Sequence, residues 1–201
     1  MFRSILGRSG SQPDLERQLR AIEKEASEAH PGFDAPLFNR GGDLCLEANQ
    51  RSRAMEYYGR AIDAYLRAGR FDAAGGVCRK LLRISPKAVR PHCTLAWLAI
   101  GKGLLGDAPQ EIAGYVDAAR RARQEKLAAK QLRMMSEVAF DPEMRQLLAD
   151  HLRELGDEDG ARAVVESLAE GARVPPTAED RETLWAKVLR AALMGPEELK
   201  E

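Results

Sequence analysis

The sequence predicts an all-α fold, an irregular right-handed stack of antiparallel helix pairs with about ten helices. Three observations predict it. Of the 201 residues, 44% are hydrophobic, 31% charged and only 5% aromatic, and Ala, Leu, Arg and Glu dominate, a mixture that suits helices. No segment alternates Val, Ile, Thr and Tyr as strands do. Gly, Asn and Pro recur at short intervals between stretches whose apolar residues repeat every three to four positions. A chain of this length buries a core within one domain.

The first helix is expected over 13–29, with Ser11 before it, Leu15, Leu19, Ile22 and Ala26 on one face, and His30-Pro31-Gly32 ending it. Further helices are expected at 35–48, 51–68, 72–84, 87–102, 108–125, 127–139, 141–155, 158–171 and 178–193. Asn49, Gly69, Ser85-Pro86, Gly103 to Gly106, Asp141-Pro142, Gly156 and Val174-Pro175-Pro176 separate them. Residues 1–12 read as a flexible arm and 13–193 as one helical domain. Within that domain 34–171 is the repeat core and 177–193 a helix capping the open end; 194–201 is a tail.

The punctuation keeps register with the apolar residues. Asn49 is followed by Ala54, Tyr58 and Ala61; Gly69 by Ala74, Cys78 and Leu81; Gly103 by Ala108, Ile112 and Tyr115; Gly156 by Ala161, Val165 and Leu168. A turn residue able to adopt the left-handed conformation closes one helix. A small residue early in the next lets two backbones approach, and two apolar residues further along fill the crossing.

This pattern resembles the tetratricopeptide repeat, through Phe38, Gly42, Asn49, Ala54, Tyr58 and Ala61 and again through Gly69, Ala74, Leu81 and Pro86. The stretch EYYGRAIDAYLRAGRFDAA is also similar to SNAP-type adaptors. The resemblance implies an irregular α-solenoid. The short step from Ala54 to Ala74 makes helix 51–68 serve two pairs, and the long step from Ala108 to Ala161 implies an irregular or inserted helix between Gln124 and Ala139. It also implies a concave partner-binding wall formed by Asn39 and Asp43, Arg90 and Trp97, and Gln146 and Asp150; Trp97 is equally readable as core. Capture of a chaperone tail is not implied, because Asp43 and Asp63 stand where that clamp needs Asn.

The formal net charge is zero, but residues 1–136 carry 23 Lys and Arg against 15 Asp and Glu, and residues 137–182 carry 5 against 13. Arg79, Lys80, Arg83, Lys87 and Arg90 form one basic segment. Arg120, Arg121, Arg123, Lys126, Lys130 and Arg133 form a second, opposed only by Glu125. Arg123, Lys126, Lys130 and Arg133 are expected on one helix face. That ridge has two readings: a track for phosphates or an anionic lipid surface, and a solvated face or a contact to the acidic section of this same chain. Aromatic residues for base stacking are not interleaved with it.

Cys45, Cys78 and Cys93 are far apart and odd in number, which gives neither a disulfide framework nor a zinc signature and favours a reducing cytoplasm. No apolar run is long enough for a membrane span. Phe2, Ile5 and Leu6 form too short a run for a signal peptide and read as a docking arm. His30, His92 and His151 sit apart from any nucleophile, and Gly101 to Gly106 lacks the spacing of a phosphate loop.

No catalytic residue, metal or cofactor is therefore expected. The function expected is that of a cytoplasmic adaptor, scaffold or accessory subunit, or one peripheral to a membrane complex. It would hold a peptide, a helix or the subunits of a larger assembly. The alternative is nucleic-acid or anionic-membrane binding through the basic ridge 79–133.

Overall fold

The computed structural model describes residues 12–30, 32–103 and 106–169, with position 186 besides, and in them every element is an α-helix. The docking arm with Phe2, Ile5 and Leu6, the capping helix at 178–193 and the tail lie outside the described residues. The chain divides into two units, Met1–Ile84 and Ser85–Glu201. The first holds α1 (Gln12–Glu28), α2 (Asp34–Glu47), α3 (Arg51–Arg67) and α4 (Phe71–Ile84). The second holds α5 (Val89–Gly101), α6 (Ala108–Arg121), α7 (Glu125–Val138), α8 (Pro142–Glu154) and α9 (Glu158–Ala169).

Four joints share one chemistry. Asn49, Gly69, Arg123 and Gly156 have φ of 58, 66, 57 and 81°. In each case the residue after them donates its N–H to a carbonyl one turn inside the helix, Gln50 to Cys45, Arg70 to Tyr65, Gln124 to Ala119 and Asp157 to Leu152, at 2.8–2.9 Å. That six-to-one bond over a left-handed residue satisfies carbonyls a helix end leaves open and turns the chain back sharply. Gly103 closes α5 with φ of 65°.

The small residue five positions on is fully buried every time: Ala54, Ala74, Ala108, Ala128 and Ala161 are each 0% exposed. The larger apolar positions that follow are buried too, as Tyr58 and Ala61, Cys78 and Leu81, Ile112 and Tyr115, and Leu132 and Met135. Val165, after Ala161, is half-buried.

Two expectations are corrected by this geometry. Helix 108–125 ends at Arg121, because Arg123 turns left-handed and α7 starts afresh at Glu125. Of the irregular or inserted helix expected between Gln124 and Ala139, the irregular form is the one corrected: α7 is an ordinary 14-residue helix that repeats the same pattern from Arg123.

In the first unit α2 crosses α3 at Gly41 and Gly42, whose Cα atoms face the rings of Tyr57 and Tyr58. Two glycines there let aromatic rings take the space that side chains on α2 would fill. Glu16 pairs with Arg53 and Glu23 with Arg60, tying α1 to α3, and the Arg60 guanidinium lies 4.0 Å over the Phe38 ring. The hydrogen bonds from these arginines hold both glutamates below the ordinary carboxylate range.

In the second unit Trp97 is 1% exposed and donates its indole N–H to Gln131 Oε1 at 2.8 Å, so the polar edge of a core ring is satisfied. Asp157 accepts from Gly160 N at the start of α9 and receives the Arg133 guanidinium, locking α7 to α9.

A candidate docking groove on the first helical unit

α2, α3 and α4 enclose a groove of about 370 Å³ lined by Asp43, Leu46, Arg51, Tyr58, Lys80, Arg83 and Ile84. Its position follows from the joints: the turns at Asn49 and Gly69 bring the ends of α2 and α4 beside the start of α3. Leu46 is 37% exposed, large for an aliphatic side chain, and with half-buried Ile84 it gives the groove an apolar surface. Tyr58 forms part of the wall but is itself only 1% exposed.

One wall is a closed polar cluster. Lys80 Nζ on α4 donates to Asp43 Oδ1 and Oδ2 at 2.8 and 3.0 Å and to Asn39 Oδ1 at 3.1 Å, while the Tyr58 hydroxyl donates to Asp43 Oδ1 at 2.6 Å. Burial, then the bond to Asp43, raises the Tyr58 phenol above its ordinary value, so it stays a donor at neutral pH. Lys80 and Asp43 side chains are 38% and 43% exposed. Ion pairs this open to water add little stability and chiefly fix geometry.

Arg51 and Arg83 differ from Lys80: both are exposed, both line the groove, and neither has a hydrogen bond or ion pair among the described residues. With Lys80 offset by Asp43, the groove carries two positive charges in excess.

The residues singled out from the sequence fall in several places. Asn39 and Asp43 come together with Lys80 at this groove. Arg90 is exposed in the second unit. Gln146 and Asp150 are exposed on α8 and bonded to one another, with Arg153 also donating to Asp150. Trp97 is a correction: of the two readings open to it, core is the one observed, since its ring is enclosed and its N–H is spent on Gln131.

The four-residue basic ridge is also corrected. Arg123 leaves the helix face because it forms the left-handed joint, and Arg133 is held by Asp157 from the acidic section of the chain. Lys126 and Lys130 remain on α7.

Leu46, Arg51 and Ile84 were not among the residues the sequence singled out, although Arg51 carried a signal. It opens α3, whose first turn holds no acidic residue, and a cation at the positive end of a helix is unfavourable unless something else uses it.

A second groove, of about 500 Å³, lies between α1 and α2, lined by Glu25, Glu28, Ala29, His30, Phe33, Pro36 and Leu37, with Phe33 74% exposed. Cys45 and Cys78 are buried, and burial raises the thiols of Cys45 and Cys93, the latter to about 12, which favours their protonated form at neutral pH. Among the described residues no helix is long and apolar enough to cross a membrane, and no three metal-binding side chains converge. No family model and no curated protein matches this sequence.

Proposed function

We propose that this chain is a non-catalytic adaptor or accessory subunit that holds a segment of another protein, and that helices within each unit pair in the right-handed tetratricopeptide manner. The observation that carries the reading is the groove on the first unit. It combines an exposed aliphatic surface, a wall fixed by Lys80, Asp43 and Tyr58, and two cations with no hydrogen bond or ion pair among the described residues. A concave site that sets apolar side chains beside a few fixed polar and charged groups can orient a bound segment. The wall is preorganised, so binding orders few side chains. A cytoplasmic setting agrees with three cysteines that form no disulfide with one another.

Selection from a displayed random-peptide library tests it, using the full chain and a Leu46→Trp variant that fills the groove without charge. Peptides enriched on the wild-type chain and lost on Leu46→Trp are expected. Failure to enrich any peptide, or equal enrichment on both proteins, overturns the reading.

A further inference from the structure

We infer that the groove between α2, α3 and α4 recognises an acidic protein segment carrying one large apolar side chain, with Arg51 and Arg83 receiving its carboxylates. This rests on the adaptor reading and adds the chemistry of the partner. The groove has three cations, Arg51, Lys80 and Arg83, against one carboxylate, Asp43, and that carboxylate is already spent on Lys80 and the Tyr58 hydroxyl. An incoming anion therefore meets two arginines that, among the described residues, surrender no ion pair to bind it.

Arg51 supplies a second, independent argument. The α3 helix begins with Arg51 and Arg53 in its first turn, has no acid there and receives no side-chain cap. Arg53 is compensated by Glu16 and by Gln50, whereas Arg51 stands at the positive end of its own helix with no ion pair among the described residues. A carboxylate beside Arg51 relieves both the side-chain charge and the helix dipole. Local rules broken without an internal compensation mark sites kept for a function.

The apolar half of the partner is set by Leu46 on α2 and Ile84 on α4, which line the same groove and leave an aliphatic surface open. Nucleic acid fits less well. Its bases need an exposed aromatic face to stack on. Tyr58 is the groove's aromatic residue; it is enclosed, and Lys80 Nζ lies 5.6 Å from its ring centre.

The test is fluorescence anisotropy on the full chain with four probes. They are a short glutamate-rich peptide with a central leucine, the same peptide with serine for leucine, its lysine-rich counterpart, and a single-stranded oligonucleotide of matched charge. The leucine peptide is expected to bind best, with affinity falling as salt rises. Arg51→Glu and Arg83→Glu are each expected to weaken it by about ten-fold. Removing leucine is expected to cost a similar factor, about ten-fold.

Tighter binding of the lysine peptide, as the Phe33, Glu25 and Glu28 groove would favour, overturns the inference. So does tighter binding of the oligonucleotide, or indifference to both arginine substitutions. Library peptides that depend on Leu46 yet lack acidic residues sink this inference and leave the adaptor reading standing, whereas no library enrichment at all removes both. Circular dichroism of each variant establishes that a lost signal is not lost folding.

Discussion

Replacing Gly42 by Ala puts a methyl group where the first unit has none to spare. A Cβ at that position lies 2.5 Å from Tyr58 Cε1 and 2.6 Å from Cδ1, where carbon atoms in contact ordinarily stand about 3.5–4.0 Å apart. The ring cannot swing clear: Tyr58 is 1% exposed and its hydroxyl is bonded to Asp43 at 2.6 Å. The overlap of about 1 Å falls on α2 and α3 themselves, and overpacking of this kind costs about 1–3 kcal/mol. Alanine returns about 1 kcal/mol through its better helix propensity.

The net expectation is a destabilisation of up to about 2 kcal/mol. Gly59 and Gly76 are internal controls, since a Cβ at either meets nothing within 4 Å. Alanine there is expected to stabilise by about 0.5–1 kcal/mol. Hydrogen exchange of α2 and α3 amides reads the effect locally: Gly42→Ala should raise the opening constant by about ten-fold and Gly59→Ala should lower it. Adding Tyr58→Leu should recover part of the Gly42→Ala loss, a coupling a purely local helix effect would not produce. If Gly42→Ala stabilises the chain as Gly59→Ala does, the close crossing of α2 on α3 is refuted.

Three further outcomes follow from the same geometry. Gln131→Leu leaves the buried Trp97 indole N–H without its acceptor, and urea unfolding should show a loss of about 1–3 kcal/mol; an unchanged midpoint would mean the bond is not formed. Arg123→Gly relieves a left-handed residue with a side chain, so it should stabilise by about 0.5–1 kcal/mol, whereas Gly156→Ala should destabilise; thermal melts of the pair check the opposite signs. The Arg133 hydrogen bond holds Asp157 below its ordinary value of 3.8. Its stabilisation is therefore fully present above that value and is lost as pH falls through the lower, folded-state value. Asp157→Asn keeps a helix-capping side chain but removes the charge, so its deficit against the wild-type chain should shrink on acidification; a deficit independent of pH would contradict the pairing.

Much of the helical frame could be read directly from residue types. Asn49, Gly69, Gly103 and Gly156 advertise left-handed joints because Gly and Asn adopt that conformation at small cost, and all four have positive φ. Arg123 hides the fifth, since arginine carries no such signal, even though Ala128, Leu132 and Met135 repeat the offsets after it. Gly42 was legible as a small-residue position of the repeat-like pattern, but the Tyr58 ring it faces belongs to another helix and no helical period relates the two.

The groove was only half legible. Asn39 and Asp43 were marked as a partner-facing wall, but Lys80 reaches Asp43 from 37 positions away, a pairing no helical period relates. Arg83 stood out in a basic run; Leu46 and Ile84 looked like any other apolar residues near a helix end, and only the meeting of α2 with α4 leaves them open. The basic ridge failed as a single face because one joint residue and one distant carboxylate, Asp157, intervene.

The central claim, that the first unit holds a protein segment in this groove, is tested most directly by NMR of the isotopically labelled full chain titrated with a library-selected peptide. Shift changes should concentrate on Leu46, Arg51, Tyr58, Arg83 and Ile84, the residues that line the groove. Changes centred on the Phe33 groove, on α7 or on α8, with these five unmoved, would contradict it.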